Sequence, residues 1–198
     1  MICITSLPAL RRAALPWLAA VLLGCGGGGD SAPPPQGTDS ADTPAPTAPA
    51  ATATCGLPDF SASVMARVNQ WRASGANCGS QGVFAAAPPL VWNNLLTQAA
   101  AGHSQDMATH DFFSHTSLDG RALAQRIDAA GYAWSGIGEN IAAGQTTVNQ
   151  VVDGWIASPG HCANIMNPGF VDIGVACVPG SASASYRSYW TMDLARPR

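Results

Sequence analysis

The sequence predicts an α+β fold over residues 55–198: a three-layer α-β-α sandwich with a small central, mainly antiparallel sheet. Three observations lead there. Apolar residues recur at helical spacing through the first part of this region, Tyr186 to Ala195 alternates at strand spacing, and helical stretches also lie between the two. Helices that precede and interrupt strands in this way can cover both faces of one sheet.

Val64, Val68 and Trp71, with Met65 alongside, mark a first helix over 59–73. Asp59 or Ser61 caps it, Gly75 ends it, and Arg67 and Arg72 fall at or beyond the edges of its stripe. Residues 76–89 form a Gly/Ala/Pro loop carrying Cys78, and 88–93 is extended, with Asn93 as a helix cap. A second helix, 95–110, places Leu96, Ala99 or Ala100, His103 and Met107 on one face. Residues 111–117 turn away from it, and a short third helix, 121–130, is ended by Gly131. Residues 139–143 read as a short buried strand. Thr146 or Thr147 caps a fourth helix through Trp155, stopped by Ser158-Pro159-Gly160. Residues 161–167 are a helical turn or loop. Strands 170–178 and 186–195 form a terminal hairpin, the second presenting Tyr186, Ser188, Trp190, Met192 and Leu194 on one side.

Two segments lie outside this fold. Residues 1–24 carry Arg11 and Arg12, then a short apolar run ending Leu22-Leu23-Gly24-Cys25. This reads as a lipoprotein signal with Cys25 as the lipidated residue, an exported chain anchored to a membrane and facing the periplasm or cell exterior. Residues 25–54 are the cysteine and a Pro/Ala/Thr/Gly tether with nothing to build a core. Extended as polyproline, it spans roughly 90 Å. The chain has no lysine and forms no basic stripe, which argues against nucleic acid as a partner.

Cys55, Cys78, Cys162 and Cys177 remain in the exported domain. Three pairings are possible. The most local is Cys55–Cys78 with Cys162–Cys177. A zinc site built from them is disfavoured, because no Cys-x-x-Cys pair occurs and the compartment is oxidising.

Glu139 is the only glutamate in the chain, set in Gly136-Ile137-Gly138-Glu139-Asn140-Ile141. A carboxylate in so apolar a strand must be paired or protonated. The histidines are its first candidate partners.

Several stretches, in order, resemble the CAP superfamily in its bacterial form, the group of cysteine-rich secretory, antigen 5 and pathogenesis-related proteins, also known as SCP domains. They are Leu90-x-Trp92-Asn93, the small-residue helix through His103 and Met107, Phe113-Ser114-His115-Thr116, Asp119-Gly120, Arg126-Ile127, Gly138-Glu139-Asn140-Ile141, Trp155-x-x-Ser158-Pro159-x-His161, Asn164-Ile165-Met166 and Ile173-Gly174-Val175. The resemblance covers about residues 61–194 and implies a cleft lined by two histidines and two glutamates. Position by position these are His115, Glu139 and His161, with Ser158 where the second glutamate stands in many members. That departure removes one carboxylate from the cleft.

His115 and His161 are thus candidate ligands for Zn²⁺ or another divalent cation, weakly bound for want of a full shell. They can equally serve as hydrogen-bonding groups in a polar cleft. Glu139 is a candidate general base, or a structural carboxylate fixing a histidine tautomer. Ser158, His161 and Glu139 could form a hydrolytic relay, although no strained nucleophile elbow is present. His103 reads as a packed core residue. Two function classes follow: a binding module for an envelope component, lipid or protein partner, and a metal-assisted or serine-type hydrolase of an envelope or extracellular substrate. The lost carboxylate and the incomplete metal shell favour binding.

Overall fold

A computed structural model of the chain describes residues 53–198. The proposed signal, Cys25 and the tether as far as residue 52 lie outside the described residues. Five α-helices and a four-stranded sheet make up the fold: α1 (Phe60–Ser74), α2 (Asn94–His110), α3 (Leu123–Ala129), α4 (Val148–Ala157) and α5 (Pro159–Met166), with β3 (Val91–Trp92), β4 (Trp134–Ala143), β5 (Asp172–Pro179) and β6 (Ser188–Pro197). A separate two-residue hairpin, β1 (Ala76–Asn77) and β2 (Val83–Phe84), follows α1.

Local chemistry sets the helix ends. Asn93 accepts from the amides of Leu95 (2.9 Å) and Leu96 (3.4 Å), so the extended segment turns directly into α2. Thr147 accepts from Gln150 N at 3.2 Å and starts α4. Gly75 closes α1 at φ 74°, where an added Cβ would stand 2.8 Å from the Phe84 carbonyl oxygen. Of residues 161–167, read as a helical turn or loop, all but the capping Asn167 belong to a regular helix with Pro159 in its first turn.

The sheet runs β3-β5-β6-β4, parallel between β3 and β5 and antiparallel elsewhere. On one face α1, α4 and α5 bury Phe60, Val64, Val152, Trp155 and Ile165 against Val175, Trp190 and Met192. On the other, α2 and α3 cover Ile141, Ala176, Tyr189 and Ala195. The alternation of β6 therefore separates two interiors rather than core from solvent, and Tyr189, Thr191 and Asp193 are buried as fully as Trp190 and Met192.

Several sequence expectations are corrected. β4 starts at Trp134, not Glu139; its glycines are strand residues, and a Cβ on Gly138 would come within 3.0 Å of the Phe170 ring. The disulfides are Cys55–Cys177 and Cys78–Cys162, with Cα–Cα distances of 5.2 and 5.5 Å, not the local pairs. The physical reason is sheet pairing. Cys55 N donates to Cys177 O at 3.0 Å, and Thr54 bridges Cys177 in parallel, which places the start of the domain on β5. Ala53 and Thr54, read as tether, belong to this contact. Arg72 does not lie at or beyond the edge of the α1 apolar stripe. It is fully buried, and its guanidinium donates to the carbonyls of Pro88, Ile165, Asn167 and Phe170 at 2.6–3.3 Å. It thereby ties α1 to the end of α5 and the turn beyond.

Candidate functional site

β4 is an edge strand, and the candidate residues meet around it from both layers. Its outward carbonyls are not left open. Glu139 O accepts from Asn164 Nδ2 at 3.2 Å, and Ile141 O from Trp155 Nε1 at 3.1 Å. Asn140 Nδ2 donates to His161 O at 3.1 Å and its Oδ1 accepts from Asn164 at 2.9 Å. Side chains of α4, α5 and β4 thus close the edge and hold His161 against the strand.

The Glu139 side chain faces the α2–α3 layer and is almost wholly buried. Oε1 lies 2.7 Å from His115 Nδ1, on the turn after α2, and Oε2 accepts from Arg126 Nη2 of α3 at 2.5 Å. Arg126 Nη1 also donates to the carbonyls of His115 (3.1 Å) and Arg121 (3.0 Å). One guanidinium thus neutralises Glu139 and pins the backbone that carries His115. Burial pushes the Glu139 pKa up, but the His115 bond and Arg126 outweigh it, so the group sits below the usual carboxylate range and is ionised. The carboxylate holds the proton on His115 Nδ1 and leaves Nε2 free; the His115 side chain is about half exposed.

Opposite Glu139, in register on β6, stands Asp193. It is fully buried, and neither oxygen finds a donor among the described residues. Burial, and then the charge of Glu139, push its pKa far above the carboxylate range, which favours a neutral acid beside the Glu139 carboxylate. His103 lies nearby as the packed residue that its helical position implied. Its Nε2–H donates to Ser114 O at 2.9 Å and Nδ1 accepts from Ser117 Oγ at 3.3 Å, and burial lowers its pKa.

His161 and Ser158 line a groove of about 320 Å³ on the other side of β4, together with Phe113, Gln145, Trp155 and Tyr186. Burial and the nearby His115 lower the His161 pKa. Ser158 ends α4 and caps α5 through its backbone, and its hydroxyl makes no capping bond. Glu139 bonds His115 rather than His161, so no Ser158–His161–Glu139 relay exists among the described residues. With both Glu139 oxygens taken, the donors left for a cation are His115 Nε2 and the His161 ring. No group of three or more His, Cys, Asp or Glu side chains among the described residues is arranged to hold a metal ion. Two imidazoles do not make a closed zinc site.

Arg126 and Asp193 are the members of this site that sequence reasoning missed. Arg126 was visible as a cation inside an apolar helical stripe beside Ile127. A lone glutamate in a buried strand calls for a cation of that kind as much as for a histidine. Asp193 lies in a strand of unbroken alternation and carries no separate signal.

A model of the CAP family, described as the cysteine-rich secretory protein family, matches residues 65–194. YkwD of Bacillus subtilis (strain 168), an uncharacterized protein, is 36% identical over 106 residues, which are 54% of this chain and 39% of YkwD. This chain therefore spans about two-fifths of that relative's length. Among solved structures, an extracellular protein containing an SCP domain from Bacillus anthracis str. Ames is 31% identical with a TM-score of 0.49, over 56% of this chain and 34% of that one. NaASP2, solved with Zn²⁺, is 16% identical with a TM-score of 0.46, over 69% and 79% of the two chains.

Proposed function

This chain belongs to the CAP, or cysteine-rich secretory protein, family, and from that premise we propose that it is a lipid-anchored binding module of the cell envelope. Anchoring rests on the Leu-Leu-Gly-Cys sequence ending at Cys25, ahead of a segment without core-forming residues. Binding rather than hydrolysis rests on one observation: both oxygens of Glu139 are spent on His115 and Arg126. A general base needs a free oxygen within reach of the proton it removes. Glu139 instead orients His115, and His115 Nε2 with the His161 ring weakly holds a divalent cation at the rim of the groove.

Calorimetric titration of Zn²⁺ into the full chain, beside His115→Ala and His161→Ala, tests the cation site. Weak binding that both substitutions abolish is expected. No heat at millimolar metal from a folded protein refutes it. Membrane fractionation of Cys25→Ser tests the anchor, and an unchanged membrane fraction refutes it. The hydrolase reading keeps one supporting observation, that the unbonded Ser158 hydroxyl and His161 line one groove. It requires turnover of an envelope peptide, ester or wall substrate that is lost in Ser158→Ala.

A further inference from the structure

The groove beside β4 combines two kinds of surface that no bond within the fold accounts for. One is aromatic. Phe113 and Tyr186 are 46% and 42% exposed, and their rings stand 6.0 Å apart. They come from different parts of the chain, the turn after α2 and the β5–β6 loop, yet they are held together. Asp111 accepts from Ser185 N (2.7 Å), Ser185 Oγ (2.9 Å) and Tyr189 OH (2.6 Å), and so fastens that loop to the end of α2. Tyr189 also packs edge-on to Tyr186, with ring centroids 5.8 Å apart. The two rings are therefore a preorganised wall, ordered before any ligand arrives.

The other surface is polar and unspent. Gln145 Oε1 is buried without a hydrogen-bond partner among the described residues, although the Gln145 backbone is fixed by donors from Ser188 (2.7 Å) and Trp190 (3.0 Å). The Ser158 hydroxyl makes no capping bond, and burial and His115 are what act on the His161 ring. All three line the same groove. Filling it with an acyl chain would leave these groups without partners, and each such loss is costly. Water alone would leave the aromatic wall uncovered.

We propose that this groove binds a short neutral saccharide, its ring stacked on Phe113 and Tyr186 and its hydroxyls bonded to Gln145, Ser158 and His161. A pyranose has an apolar face of C–H groups, which suits the negative face of an aromatic ring, and a rim of hydroxyls that both donate and accept. No anion is called for, since the chain supplies no cluster of cations here. The volume sits near the lower end of small-molecule clefts, roughly 300–1,000 Å³. The ligand class deepens the binding-module reading given above and rests on it.

Saturation-transfer NMR of the full chain with N-acetylglucosamine oligosaccharides and maltooligosaccharides tests the assignment, with sodium dodecanoate as the lipid probe. Transfer to the ring C–H protons of one saccharide series is expected. Phe113→Ala and Tyr186→Ala, both at exposed positions, each weaken binding at least tenfold while circular dichroism shows the fold intact. Ser158→Ala weakens it several-fold. No transfer to either series at millimolar ligand overturns the proposal, as does binding indifferent to both aromatic substitutions or dodecanoate binding in place of sugar. Mass spectrometry of the same samples separates the two readings. Shortened oligosaccharides would overturn the non-catalytic reading and leave the ligand class standing.

Discussion

Replacing Arg126 by Met removes the cation from a buried pair and keeps much of its aliphatic bulk. Arg126 and Glu139 side chains are 4% and 3% exposed and bonded at 2.5 Å. Removing one partner of such a pair costs about 3–5 kcal/mol, because the other charge is left uncompensated. With a urea slope of about 2 kcal/mol/M, the unfolding midpoint falls by roughly 2 M near neutral pH. The loss depends on pH in a defined direction. In the native protein Glu139 has a lowered pKa, so its contribution is present above the unfolded value and is lost as pH falls through the folded one. In Arg126→Met, burial and the His115 bond remain while the guanidinium is gone. The Glu139 pKa then rises, so the variant recovers part of its deficit as pH is lowered toward 5. Adding Glu139→Gln to Arg126→Met removes the stranded charge and restores part of the stability, a positive coupling measurable in a double-mutant cycle. Urea melts at pH 7 and pH 5 on the four proteins provide the numbers. A deficit under 1 kcal/mol, or one that is equal at both pH values and unrelieved by the second substitution, would refute the reasoning.

Non-reducing peptide mapping is expected to link Cys55 to Cys177 and Cys78 to Cys162. Their sequence separations of 122 and 84 residues make each worth about 4.5–5 kcal/mol in the chain-entropy model, and a Cys55–Cys78 peptide would overturn the pairing. Asp193 has a raised pKa, so the stability tied to its neutral form is complete below the unfolded value and is lost as pH rises through the folded one. Asp193→Asn, which cannot ionise, is expected to flatten that decline in thermal melts taken upward from the unfolded carboxylate range; an unaltered slope counts against a buried neutral acid. Asp111→Ala releases the β5–β6 loop, and amide exchange across residues 181–187 should quicken while β6 stays protected. Unchanged exchange would mean that the loop is held by something other than Asp111.

Local patterns made much of the architecture readable. Asn93 and Thr147 capped the helices as expected, because a cap is a short-range bond between neighbours in sequence. The terminal hairpin was visible in its alternation. What escaped depended on partners distant in sequence. Arg72 meets carbonyls of residues 165–170, and its burial cannot be inferred from the helix that carries it. The local disulfide assignment failed for the same reason, since β5 lies in the sheet interior and draws the first cysteine to it. The ring that excludes a side chain at Gly138, Phe170, is 32 positions away in the sequence, so the strand alone does not name it. Within the site, His115 and Glu139 were legible as neighbours. The ionisation and orientation of Glu139 depend as much on Arg126, from another element, and the Glu139 charge in turn raises the pKa of Asp193 across the strand pair.

The contact at the start of the domain determines how the protein carries load. Thr54 bridges Cys177, and the adjacent Cys55 is bonded covalently to it, before α1 begins. Any pull on the chain ahead of Ala53 therefore enters through a covalent link into β5, which is flanked by β3 and β6. Force is delivered to the middle of the sheet, and α1 is bypassed. With the cysteines oxidised, α1 stays seated over its apolar face while tension is borne elsewhere. Reduction would reroute the same tension along the helix, peeling it from the sheet turn by turn, so the oxidising compartment sets the mechanical strength of the domain.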